Sequence, residues 1–261
     1  MANLDKKKLA AIHIMLLFLF ILSGCQTIYN PATEKKEWIL ISDSSEASIG
    51  KNVSDEIQKK EKIWHNSQDE QRVQGIGKSI ALISDRNNLN YEFFIIDDKE
   101  LNAFSLPGGF IYINNGLLEK INNDELSFVL GHEIGHVAAK HAVKKIQSTM
   151  AFQLLLTAAL TAAGNSDSAA AMAQASDEVY NLISLGYSRE DEYLADKLGV
   201  KYAFKAGYNP RAAITALEKI KAGEKGATGV PVYLRTHPYA DERIKALEQV
   251  ITQLLQDPHS P

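Results

Sequence analysis

The stretch His132-Glu133-Ile134-Gly135-His136 constrains this 261-residue chain more than any other. Two histidines four residues apart can serve one ion only on a helix. At 3.6 residues per turn, positions i and i+4 stack on one face, where two imidazoles converge on a single metal. Glu133 is rotated by about a third of a turn from His132, close enough to act on a water beside that metal. Gly135 costs about 1 kcal/mol in a helix interior, so its presence predicts the close approach of another backbone. Asn122 and Glu125 supply the capping signal that opens this helix.

Two histidines do not complete a site. Catalytic zinc takes three protein ligands and keeps a further position for water. A ligand set that continues on the same helix would need a glycine at 139 and a histidine at 142, but those residues are Ala139 and Ala142. His141 lies off the shared face and reads as a surface residue or a support behind a ligand. No glutamate occurs between Ile134 and Asp177, and the only acid inside that stretch is Asp167. The third ligand therefore comes from Glu178, Glu190 or Glu192. Glu192 has the best credentials, because Asp196 lies one helical turn on and can hold the far N–H of a ligand imidazole.

The chain opens with Lys6, Lys7 and Lys8, then an apolar stretch from Leu9 to Leu22 interrupted only by His13. That stretch is too short and wrongly flanked for a membrane span. It ends in Leu22-Ser23-Gly24-Cys25, which resembles a bacterial lipobox and holds the only cysteine. The reading is a signal peptide over residues 1–24, lipidation at Cys25, a lipid-anchored tether over 25–43 and one domain over 44–258. Gln26 favours the outer over the inner membrane of a bacterial envelope. A net charge of −4 offers no footprint for nucleic acid, and a lone cysteine makes no internal disulfide.

Along the domain, Asp43 to Glu46 reads as a capping box for a helix running toward Trp64, and a second helix fits Asp69 to Ser84. Tyr91 to Ile96 reads as a strand, Pro107-Gly108-Gly109 as a turn, and Phe110 to Ile113 as a second strand. The motif helix is expected to continue past Lys145 into the apolar run Met150–Ala163, which is either a core helix or a flap facing membrane or substrate. One helix is expected from Asp177 to Phe204, another after Asn209-Pro210 that Gly223 stops, a loop over 223–231, and a last helix from Tyr239 to Leu255. The fold class is α+β, mainly α-helical, with a small β-sheet beside the active-site helix.

Several landmarks together carry a family resemblance: Asn102-Ala103-Phe104, Pro107-Gly108-Gly109, Gly116-Leu117-Leu118, the His132–His136 motif, Tyr187-Ser188-Arg189, Glu192 to Gly199, and Thr236-His237-Pro238. Over residues 45–250 the chain resembles the HtpX/BepA-type zinc metallopeptidases, gluzincins related to the CAAX prenyl proteases. The resemblance implies a zincin-like domain with one zinc ion per chain held by His132, His136 and Glu192, and with Asp196 supporting the first histidine. Leu194 departs from the family, where many members carry a second glutamate. Glu133 would be the general base. His237 would stabilise the oxyanion or close over the metal in a resting state; a plain turn histidine before Pro238 is the bland reading, and Arg243 is a weaker candidate for orienting that segment.

The strand Phe110, Ile111, Tyr112, Ile113 is expected either to pair with an extended substrate as an edge strand or to lie in the core. The implied function is zinc-dependent cleavage of unfolded or misassembled envelope polypeptides in the periplasm, with envelope assembly machinery as a partner and the membrane reached through Cys25. Two other classes compete. A non-catalytic assembly factor would keep a latent metal site, and a small-molecule hydrolase would show a closed pocket instead of a groove beside a strand.

Overall fold

The computed structural model describes residues 27–150, 175–223 and 232–256. Cys25 and the stretch before it, the apolar run over 151–163 and the glycine-rich stretch 224–231 lie outside the described residues. The hairpin β1 (Thr27–Asn30) and β2 (Lys35–Trp38) comes first, followed by helices α1 (Asp43–Lys60) and α2 (Ser67–Ala81). Strands β3 (Glu92–Ile96), β4 (Ala103–Ser105) and β5 (Phe110–Asn114) precede the short α3 (Asn115–Lys120) and the motif helix α4 (Asn123–Ala138). Residues 141–150 form α5. Then come α6 (Ala175–Ser184), α7 (Arg189–Lys205), α8 (Ala212–Ala222), α9 (Val232–Thr236) and α10 (Ala240–Gln256). No helix among the described residues is long and apolar enough to cross a membrane.

Helix α4 is the axis of the molecule. Every residue from Glu125 to Ala138 is buried, as expected of a helix surrounded by other elements. Its start is the reciprocal capping box of Asn122 and Glu125. The glycine signal is explained by α7. A Cβ on Gly131 would lie 2.9 Å from the carbonyl oxygen of Gly199, and one on Gly135 would lie 3.0 Å from that of Ala195. A Cβ on Gly199 would come within 2.8 Å of the backbone nitrogen of His132. The two helices thus meet backbone to backbone, which carries the acids of α7 within reach of the histidines of α4.

Strand β5 is the centre of a three-stranded sheet, parallel to β3 on one side and antiparallel to β4 on the other. This corrects the edge-strand reading of Phe110, Ile111, Tyr112 and Ile113. The turn at Gly108 (φ 79°) and Gly109 (φ 97°) folds β5 back against β4, and Ile111, Tyr112 and Ile113 are buried as a central strand requires. The edges are β3, partly covered by the Ile63–Ile96 bridge, and β4 (Ala103–Ser105), whose outer side has no strand partner among the described residues.

Four other expectations are corrected. The tether over 25–43 is, from Thr27 to Trp38, a folded hairpin, closed by the Asn30 amide donating to Glu37 Oε2 (3.0 Å) and held to α5 by an ion pair between Glu37 and Lys144. Helix α1 is capped by Ser42 instead of Asp43, and Glu46 turns inward to Arg86 (2.8 Å) and Lys140 (2.5 Å). The motif helix ends at Ala138, because Lys140 takes a left-handed conformation (φ 57°) with its ammonium buried against Asp43 and Glu46. The single helix expected over Asp177–Phe204 is two, parted at Gly186 (φ 77°) and restarted by a capping box of Ser188 with Asp191.

Candidate metal centre

The four side chains His132, His136, Glu192 and His237 each point one donor atom into a common space, and these atoms all lie within 4.8 Å of one another. All four residues are buried. Helix α4 supplies both expected histidines on one face, with Nε2 to Nε2 3.0 Å. Glu192, in the first turn of α7, brings Oε2 to 3.5 Å from His132 Nε2 and Oε1 to 3.5 Å from His136 Nε2. Of the three acids weighed for the third position, Glu190 faces solvent and the side chain of Glu178 lies outside the described residues.

The imidazoles are held from behind. Asp196 Oδ1 sits 2.8 Å from His132 Nδ1, so this nitrogen carries the proton and Nε2 turns its lone pair to the centre. His136 Nδ1 lies 2.8 Å from Nδ1 of His141, whose Nε2 is 3.3 Å from Asp191. A proton on His136 Nδ1 and another on His141 Nε2 satisfy both contacts and leave His136 Nε2 free. His141 is buried, not a surface residue, because the break at Lys140 folds it back behind His136. Burial pushes the pKa of His132 and His136 down and that of His141 well down, so all three hold the neutral form a ligand set needs.

Two acceptor lone pairs facing each other at 3.0 Å repel unless a cation sits between them. Two imidazoles and a carboxylate are a donor set typical of zinc. The residues present fit such an ion.

Arg243 of α10 is the main countercharge. It is fully buried, grips Asp196 through Nε (2.8 Å) and Nη2 (2.7 Å), and places Nη1 2.9 Å from Glu192 Oε2 in a contact that lacks hydrogen-bond alignment. Burial alone would raise the pKa of Glu192, but the charges of His237 and Arg243 outweigh it and hold the carboxylate well below its usual range. Asp196 is held down in the same way by Arg243 and His132.

His237, from the turn after α9, places Nδ1 3.2 Å from both His132 Nε2 and Glu192 Oε1. Its ring stacks on Tyr233 at 4.5 Å. Tyr187 stacks on His136 at 4.2 Å. Both phenol oxygens are buried without a hydrogen-bond partner among the described residues, and burial pushes both phenols well up, so they stay protonated and can donate. The roles of Tyr233 and Tyr187 were not read from sequence. Tyr233 stands one turn before His237, whose backbone N–H donates to its carbonyl, so that spacing was a usable signal; Tyr187 comes just before α7, across the break at Gly186, and left none.

Glu133 lies on the side of the cluster nearest the sheet edge. Its Oε2 accepts from the Ser105 hydroxyl of β4 (2.9 Å), and its buried Oε1 has no hydrogen-bond partner among the described residues, with His237 Nε2 3.5 Å away. A cavity of about 270 Å³ opens between that edge and the cluster, lined among others by Phe104, Ser105, Tyr180, Tyr187 and His237. Phe104 and Ser105 of β4 form part of its wall.

The profile of peptidase family M48 matches residues 67–251, which span α2 to α10 and every residue of the centre. The chain belongs to peptidase family M48. Among its relatives, this M48 chain is similar to the mitochondrial metalloendopeptidase OMA1 of Arabidopsis thaliana, 33% identical over 177 residues, which are 66% of this chain and 34% of that protein. It is 30% identical over 183 residues to a putative beta-barrel assembly-enhancing protease of Vibrio cholerae, covering 66% of this chain and 37% of that one. Metalloprotease LoiP of Escherichia coli is 25% identical over 242 residues, covering 90% of this chain and 94% of LoiP. The chain spans only 34% to 51% of the OMA1 relatives from Arabidopsis thaliana and Schizosaccharomyces pombe.

Proposed function

We propose that this M48 chain is a zinc-dependent endopeptidase, lipid-anchored through Cys25 on the periplasmic side of the outer membrane, that cuts unfolded or misassembled envelope proteins. The observation that carries the peptidase reading is Glu133 Oε1, a buried carboxylate oxygen with no hydrogen bond among the described residues and only the His237 imidazole near it (3.5 Å), set between the His132–His136–Glu192 cluster and the edge strand β4. An extended polypeptide can add to that edge by main-chain hydrogen bonds, a mode that reads backbone more than sequence and suits unfolded chains. The name of the beta-barrel assembly-enhancing relatives supports an envelope setting.

Zinc held by His132, His136 and Glu192 would supply a Lewis acid that acidifies water and polarises the scissile carbonyl. The chain does the rest. Ser105 orients Glu133, whose Oε1 takes the proton of the attacking water and hands it to the leaving amine. The neutral phenol of Tyr187 is placed to donate to charge developing on the carbonyl oxygen.

The purified mature chain with zinc should cut an unfolded protein such as casein and stop when a chelator is added. Glu192→Ala should drop the metal content from about one ion per chain to near none, whereas Glu190→Ala should keep it. Full occupancy in Glu192→Ala would refute the ligand assignment.

His237 carries a second reading. Its Nδ1 lies among the ligand atoms, where a fourth donor would fill the place that water needs. On that ground His237 is a plug, and His237→Ala should raise casein cleavage at unchanged zinc content. A fall in cleavage would make His237 the oxyanion donor instead.

A further inference from the structure

We propose that the β1–β2 hairpin is a bilayer-docking surface, with Tyr29, Trp38 and Leu40 entering the headgroup region of the phospholipid leaflet that holds the lipid of Cys25. The proposal rests on the lipidation of Cys25 put forward above. Nine large hydrophobic side chains are exposed among the described residues, and four of them, Ile28, Tyr29, Trp38 and Leu40, fall within one stretch of 13 residues. Tyr29, Trp38 and Leu40 are 60%, 57% and 65% exposed. Tyr29 and Trp38 lie on one face of the hairpin, since Thr27 pairs with Trp38 and Tyr29 with Lys36. Amphipathic aromatic rings and flanking lysines make up the chemistry of a membrane interface, and Lys35 and Lys36 of β2 are exposed beside them.

The length of chain between anchor and hairpin decides the occupant. Thr27 is two residues from Cys25, so the first strand begins within about 7 Å of the lipidated residue. A loose tether over residues 26–43 would wander about 20–25 Å from its anchor, enough to leave the patch in water. The hairpin removes that slack. Asn30 and Ala32 are buried, Glu37 pairs with Lys144, and Gln147 accepts from the Leu40 backbone (2.7 Å) and donates to that of Trp38 (3.0 Å). Insertion of about 5–10 Å, usual for interfacial segments, matches the reach of these side chains.

The test uses the two tryptophans, Trp38 and Trp64. The full lipidated chain is extracted in detergent and reconstituted into vesicles of phosphatidylethanolamine and phosphatidylglycerol that contain lipid brominated on its acyl chains. In Trp64→Phe, which leaves Trp38 as the only tryptophan, excited selectively over tyrosine, the protein should float with the vesicles and its emission should shift to the blue and lose most of its intensity. In Trp38→Phe, the remaining Trp64 packs against the core and should be unaffected. Should Trp64→Phe fail to fold, the wild type read against Trp38→Phe gives the Trp38 signal by difference. Cys25→Ser should stay with the soluble fraction. Flotation with an unquenched Trp38 overturns the docking and leaves the anchor standing. A Cys25 chain that does not float overturns the anchor and the docking with it. Equal quenching of both tryptophans, or a Trp38 already blue-shifted in lipid-free Cys25→Ser, overturns the assignment, the latter by giving the patch to a second copy or to the chain itself.

Discussion

Glu133→Gln is expected to slow the cleavage of an unfolded protein by at least about 100-fold, the lower end of what a positioned general base contributes. Glutamine keeps the size of the side chain and can still accept from the Ser105 hydroxyl, so β4 and α4 should stay in register. It cannot take a proton from water. The carboxylate it replaces is fully buried, and one oxygen has no hydrogen bond and meets only the His237 imidazole at 3.5 Å, so the substitution gives up one long contact and should change stability little. Metal content and cleavage rate measured on the same preparation decide the point. Retained metal with lost cleavage assigns the proton transfer to Glu133. Lost metal would make Glu133 a ligand, and undiminished cleavage would end its role altogether.

Arg243→Met should destabilise the fold by about 3–5 kcal/mol, the usual effect of removing one partner from a buried ion pair. That is a shift of the folding equilibrium of about a hundred- to several thousand-fold. Methionine fills much of the volume but leaves Asp196 with two buried oxygens facing no cation and strips Glu192 of its nearest one. The Arg243 bond to the His237 carbonyl is lost as well, so the turn before Pro238 loosens. Denaturant unfolding of the wild type and the variant, both kept metal-free so that ion binding does not mask the difference, measures the effect. A change under about 1 kcal/mol would show that water relieves the two acids and that the network is not a closed one.

What could be read from sequence follows from how local each constraint is. His132, Glu133 and His136 declare themselves because their spacing makes sense only on a helix. Elimination left Glu178, Glu190 and Glu192, and Glu192 stands out among them because Asp196 lies one turn on by the same period. Arg243 could be suspected only of orienting its own segment, because its partners come from α7. For His141 the sequence left two readings, surface residue or support behind a ligand, because its place behind His136 depends on a left-handed Lys140, whose ammonium is drawn to Asp43 and Glu46 nearly a hundred residues earlier. The break before α7 did leave a signal, the Ser188–Asp191 capping spacing after Gly186, which the apolar period of the flanking helices overrode. Strand β4 has three residues, too few to show alternation, so nothing in its composition marks Ala103–Ser105 as an edge. The hairpin was taken for a tether because its clasp, Glu37 with Lys144 and Leu40 with Gln147, spans more than a hundred residues and leaves no local pattern.

The lateness of Arg243 in the chain has a consequence for biosynthesis. The two histidines and Glu192 leave the ribosome well before it, so for the time it takes to make some fifty more residues α7 carries two acids destined for a dry interior with no cation to meet them. Packing α7 against α4 in that interval would bury both carboxylates unpaired, which is strongly unfavourable. The site therefore assembles only after α10 has been made and can dock. A nascent or prematurely stopped chain that lacks Arg243 would carry the motif without a working centre.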